Sequence, residues 1–307
     1  MANNHSAPTY QSGKKSVAPV GAVAGEDARA SAFHFLGGLA SELSGGTVDL
    51  PCFPDVVIRI RTALDDPKIK MEQTVTIVGS EPRLAAKLLQ TANSAAFNTS
   101  GKPITELRTA ITRLGQKMVQ SAAMAYAVQQ MKNEDSLKSV APRLSELWND
   151  SIAVASIAQV IARRTKITPD EAFLTGLLHG IGRLYILVRA VGNSPQFGLD
   201  SEFLDLISGW QASIGKSVLE NWGFAQEMAD AVGDQGEYDR KRKNADLTDV
   251  LVASTILAEA LRLPAPRTVD LESTTSFHTI GLSQEECATI LTHAEYQLGS
   301  LRESLGC

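Results

Sequence analysis

From about residue 31 almost to the C-terminus, apolar side chains recur three and four positions apart, the spacing that lines one face of an α-helix. Phe33, Leu36, Leu39, Ala40 and Leu43 fit one such face, and Val56, Val57, Ile60 and Leu64 a second. Leu84, Ala85, Leu88, Leu89 and Ala92 make a third. Leu107, Ala110, Ile111, Leu114 and Met118 open the longest apolar-faced stretch of the first half. No run of alternating β-branched residues competes with this pattern. It predicts an all-α chain of about a dozen helices.

Start and stop signals sharpen the elements. Thr168-Pro169-Asp170-Glu171 offers a capping Thr, Pro at the first helical position and a Glu able to reach back to the Thr amide. Ser283-Gln284-Glu285-Glu286 reads as a second capping box, and Ser80 before Pro82 and Thr105 after Pro103 are weaker starts. Breaks are expected at Ser44-Gly45-Gly46, Asp65-Asp66-Pro67, Asn98 to Pro103, Asn133 to Ser136, Gly192 to Pro195 and Gly233 to Asn244. Gly115 falls inside a helix, where it costs about 1 kcal/mol against Ala, and close helix packing is the expected compensation. Residues 1–30 carry few large apolar groups and are expected to be disordered. The rest divides into two packed helical layers, roughly 31–132 and 137–306, joined near Asn133 to Lys138. A shared core and a linker both fit that joint.

Composition narrows the class. With 307 residues the chain has room for one large or two modest domains. Its net charge of -5 argues against broad attraction to nucleic acid or anionic membrane. Cys52, Cys287 and Cys307 are far apart and odd in number, as expected for reduced thiols rather than a disulfide framework. No uninterrupted apolar stretch is read as a membrane span, and the N-terminus lacks the order of a signal peptide. The expected location is the cytoplasm.

The chemistry centres on Gly176-Leu177-Leu178-His179-Gly180-Ile181-Gly182-Arg183-Leu184. The first part of that stretch, within Phe173-Leu174-Thr175-Gly176-Leu177-Leu178-His179, follows Leu50-Pro51-Cys52-Phe53-Pro54, Glu81-Pro82-Arg83-Leu84-Ala85-Ala86-Lys87-Leu88-Leu89, Ala92-Asn93-Ser94-Ala95, Ile104-Thr105, Ala110-Ile111 and Leu114-Gly115, and together they resemble the HDOD family. These are HD-related output domains of bacterial signalling proteins. The resemblance implies an HD-related helical bundle, with an HDOD-like domain over 31–235. Its first layer would be 31–132, its degenerate HD-like layer 137–235, and the helices of 236–307 would complete that second layer.

The wider HD superfamily holds divalent metals through a His, a later His-Asp pair and a further Asp. On that pattern Asp150, in Trp148-Asn149-Asp150-Ser151, stands in place of a His, and Gly180 stands in place of the paired Asp. Trp210-Gln211 and Ala231 to Gly236 lack the later histidines. A catalytic zinc site takes three protein ligands, so no metal, cofactor or catalytic residue is expected. His179 is read as structural, bonded to Asp150 across adjacent helices, with Gly180 and Gly182 allowing close backbone approach. Asn93 and Ser94 are read first as a helix cap.

The reading is thus a non-catalytic, cytoplasmic signalling protein that binds a protein partner or a small ligand in a groove between the layers. Asn93, Ser94, Asp150, His179 and Arg183 are the candidate groove residues. Membrane and nucleic-acid partners are not expected. Two rivals stand beside it. One is a metal-dependent HD-type phosphohydrolase acting on nucleotides. The other is a nucleotide or cyclic-dinucleotide sensor using Arg183 or the Arg240-Lys241-Arg242-Lys243 run, which is otherwise read as a solvated loop.

Overall fold

The apolar stripes fold as helices wherever they are seen. The computed structural model describes residues 9–10, 26–46, 48, 50, 55–64, 66, 68–98, 101–193, 201–264 and 267–305. The Pro51-Cys52-Phe53-Pro54 entry, Cys307 and most of residues 1–30 lie outside the described residues. Helices run α1 (Glu26–Ser44), α2 (Asp55–Leu64), α3 (Met71–Gly79), α4 (Pro82–Asn93), α5 (Leu107–Lys132), α6 (Ala141–Ala162) and α7 (Pro169–Leu178). They continue as α8 (Ile181–Asn193), α9 (Ser201–Ser208), α10 (Gln211–Asn221), α11 (Gln226–Gly233), α12 (Leu247–Ala260), α13 (Thr275–Ile280) and α14 (Gln284–Leu305). Two-residue strands β1 (Thr9–Tyr10) and β2 (Thr268–Val269) pair in parallel, Tyr10 opposite Val269.

The stretch expected to be disordered therefore contributes β1 and the first turn of α1. Thr168 precedes α7 but its side chain makes no cap bond. Ser283 and Glu286 do form the reciprocal box, at 3.3 and 2.8 Å. Gly115 is a correction of another kind. Its φ of 74° and ψ of 168° break α5 into two helical pieces, and a Cβ there would meet nothing within 4 Å. Glycine is needed for that backbone conformation, not for close packing.

The inward faces merge into one buried cluster reaching from Ala32 to Leu305, so the two expected layers share a core. Leu36, Leu84, Leu88 and Ala92 are fully buried within it, whereas Phe33 is 46% exposed. α6 is rich in alanine, and small side chains let neighbours come close. A Cβ on Gly176 of α7 would stand 2.7 Å from Ala155 Cα. α12 and α14 pack on α6, and α14 also reaches α4. The stretch Pro169–Gly192 is long and apolar enough by composition to cross a membrane, but it is mostly buried here and is split between α7 and α8.

The basic run is anchored rather than wholly solvated. Arg240 makes two 2.7 Å bonds to Asp246 and lies 3.3 Å from Asp249, which is fully buried. Asp246 and Asp249 also cap α12 reciprocally, and the Ser276 hydroxyl donates to Asp249 at 2.9 Å. Lys241, Arg242 and Lys243 remain exposed.

Candidate functional site

α7 ends at Leu178 and α8 starts at Ile181, leaving His179 and Gly180 as the junction. The Gly180 carbonyl accepts the Leu184 amide at 3.1 Å, which places Gly180 at the N-cap of α8, a position glycine tolerates well. Two residues on, Gly182 sets the approach of α10. A Cβ there would collide with the Gln211 carbonyl and the Gly215 backbone. At Gly180 a Cβ would lie 3.4 Å from the Ser151 hydroxyl. Close backbone approach thus explains Gly182 and does not explain Gly180.

The His179 Nδ1–H donates to the Gly176 carbonyl at 2.8 Å, because a carbonyl can only accept. That fixes the tautomer and leaves the Nε2 lone pair unprotonated. Burial pushes the imidazole pKa below its usual value, against the pull of the Gly176 bond and the Asp150 charge. The ring is therefore neutral near pH 7. Gln235 donates its amide to the His179 carbonyl at 3.2 Å and steadies the junction from the end of α11.

Asp150 does not bond His179. It pairs with Arg262, just past the end of α12, at 2.5 Å. Asp150, His179, Gly180, Arg183 and Arg262 line one cavity of about 920 Å³, with Arg302 of α14 on its far wall. Leu147, Val154, Ile256 and Leu298 supply apolar wall, and Gln211 and Tyr238 add polar groups. Its lining residues run from Leu147 to Arg302. This cavity lies within the expected C-terminal layer, beside α6 and the helices that pack on it, rather than between the two layers.

Asn93 and Ser94 do not line it. The Asn93 amide donates to the Leu89 and Ile104 carbonyls at 2.9 and 2.7 Å and accepts from the Ile104 amide at 2.8 Å. Ser94 donates to the Thr91 carbonyl at 2.7 Å. They close α4 and hold the chain entering α5. No local spacing marks Arg262 and Arg302, which meet the site from distant helices, and the sequence pattern shows Gln211 and the stretch holding Gln235 only as places without histidine.

Arg183 is the third residue of α8. Its Nε is buried without a hydrogen-bond partner, and no carboxylate of the described residues pairs with it. Arg108, Arg189, Arg240 and Arg262 each hold an acidic partner.

A divalent metal does not fit this donor set. Gly180 offers no side chain, Asp150 is held by a guanidinium, and one neutral imidazole remains. Among the described residues no three His, Cys, Asp or Glu side chains group so as to hold an ion.

Fold and cavity together define an all-helical HD-type domain with an incomplete metal-ligand set. The HDOD domain family matches residues 50–238, and the chain belongs to that family. A protein from Shewanella amazonensis SB2B, named as a candidate metal-dependent phosphohydrolase, superposes with a TM-score of 0.69 at 23% identity, covering 90% of this chain and 99% of its own. An HDOD domain protein of unknown function from Geobacter sulfurreducens superposes at 0.57 with 22% identity, covering 89% and 97%. A protein from Marinobacter aquaeolei VT8 named for signal transduction gives 0.56 at 21%, covering 90% and 65%. Such likeness establishes the fold alone. An uncharacterized protein of Treponema pallidum is 21% identical over 208 residues, 63% of this chain, and the chain spans 39% of that relative's length.

Proposed function

We propose that this chain is a non-catalytic regulatory module of bacterial signal transduction, acting in the cytoplasm by binding. The cavity of the C-terminal layer engages a ligand, and the helices around it carry that state to a protein partner. The observation that carries the reading is the Asp150–Arg262 pair beside Gly180. Where a hydrolase of this fold needs carboxylates on a metal, this chain has a bare backbone and a carboxylate already matched to a cation. Without a metal to lower the pKa of a bound water, the neutral His179 has no hydroxide to orient. Membership of a family of signalling output domains supports the regulatory role.

The test is metal analysis of the purified full chain, with thermal melts in Mn²⁺, Zn²⁺, Mg²⁺ and EDTA and an assay on p-nitrophenyl phosphate. The expected result is substoichiometric metal, an unmoved melt and no turnover. Stoichiometric metal with turnover would reverse the reading and make the chain a phosphohydrolase.

A further inference from the structure

An arginine side chain is charged at any physiological pH, so its donors must meet water, an acceptor or an anion. Arg183 meets no protein acceptor among the described residues, although its Nε is out of reach of solvent. Its position is unfavourable in a second way. A cation in the first turn of a helix opposes the positive end of the helix dipole. Arg183 sits there in α8, with no acidic residue in the same turn to offset it. Neither circumstance stabilises the protein, and both favour an anion at this end of α8.

Arg183 lines the cavity with Arg262 and Arg302. Of the acidic side chains on the walls, Asp150 is matched by Arg262 and Glu295 by Arg267, at 2.5 Å each. Glu259 is the third acid. His179 is neutral and presents an acceptor, and Gln211 adds an amide. The volume of about 920 Å³ is in the range of small-molecule sites, roughly 300–1,000 Å³, rather than that of a flat protein contact. Leu147, Val154, Ile256 and Leu298 offer apolar wall to the uncharged body of such a molecule.

We propose that this cavity binds a small molecule carrying an oxyanion group, phosphate or carboxylate, with Arg183 as its anchoring cation. The proposal rests on the binding-module reading and names its ligand class. A guanidinium fork matches both oxyanions in bidentate geometry, so the two classes share the same recognition chemistry.

The experiment is calorimetric titration of the full chain with sodium pyrophosphate and, separately, with citrate, at low and at physiological ionic strength. One saturable site is expected for at least one probe, weakening with salt. Arg183→Gln should weaken it by about tenfold or more, and Arg183→Lys should recover part of the loss as a point charge without the fork. Arg302→Gln should weaken it severalfold and keeps the proposal testable if the Arg183 variants fail to fold. Arg108→Gln, remote and exposed, should bind as wild type. The probe that binds identifies the oxyanion class. Failure of both probes to saturate, or a folded Arg183→Gln chain that binds as wild type, would overturn the proposal. Orthophosphate released from pyrophosphate is measured in the same samples. Release alongside Arg183-dependent binding would keep the anion site and sink the non-catalytic reading. Absence of both binding and release would sink the anion site and leave the module reading intact.

Discussion

Asp150 Oδ1 and Arg262 Nη2 stand 2.5 Å apart and join α6 to the end of α12 at the rim of the cavity. Their side chains are 41% and 63% exposed, so the pair contributes little to stability, about 0–1 kcal/mol. Its importance is chemical. It keeps the Asp150 carboxylate, whose charge acts on His179, occupied.

Restoring the missing carboxylate should therefore not restore a metal site. Gly180→Asp has room for its Cβ beside Ser151, yet Arg262 still holds Asp150. Metal analysis after growth with Mn²⁺ and dialysis should find well under one ion per chain. A stoichiometric ion in that variant would show that Arg262 yields to metal, and would send the chain back to hydrolase assays.

Two neighbouring glycines should respond in opposite ways. Gly182→Ala drives a methyl into the backbone of α10 and should cost more than about 2 kcal/mol, since backbone cannot yield as a flexible side chain can. Gly180→Ala meets only the Ser151 hydroxyl and should stay within about 1 kcal/mol of wild type, an alanine N-cap being the main penalty. Urea unfolding of both variants distinguishes them. Equal losses would mean that the α8–α10 contact is not set by Gly182.

Arg240→Ala leaves Asp249 buried beside an empty space and should cost about 3–5 kcal/mol, the usual penalty for removing one partner of a buried pair. Asp246 gives a second readout. Burial works to raise its carboxyl, but the Arg240 bonds and the Asp249 amide outweigh this and hold it at about 2. Its contribution is present above the unfolded value of 3.8 and is lost as pH falls toward 2. Without Arg240 the acid unfolding midpoint should move to higher pH. An unchanged midpoint would mean that Asp246 draws its stabilisation elsewhere.

His179 predicts a different pH dependence. Burial lowers its folded pKa beneath the ordinary 6.5, so below that pH the unfolded chain takes up the proton first. Its contribution is full above 6.5 and declines as pH falls from there toward the folded value. Melting temperatures taken from pH 8 down to about pH 5 should fall more steeply for wild type than for His179→Gln. Parallel curves would show that the imidazole is not held neutral by its surroundings.

Much of this fold was legible in the chain because helical stripes and caps are local signals. Leu84, Leu88 and Ala92 are buried as their spacing required, and the Ser283–Glu286 box forms. Glycine was the least legible residue. Gly115 serves a positive φ, Gly182 a backbone contact and Gly180 a helix cap, and one letter cannot say which. Cross-helix partners were equally hidden. Asp150 near His179 suggested a bond between them, but the competing cation comes from Arg262, whose approach depends on how α12 folds back on α6. Arg240 read as solvated for the same reason, since nothing local announced that Asp249 would be buried beneath it.

The family match ends at residue 238, yet α12 and α14, which close two sides of the cavity, begin after it. A fragment cut at that boundary would leave α6 stripped of two packing partners, with Asp150 and Arg183 on an open surface instead of lining a cavity. The stretch that marks kinship along the chain is thus not a physical module. Two walls of the cavity are encoded in helices that the family match does not reach.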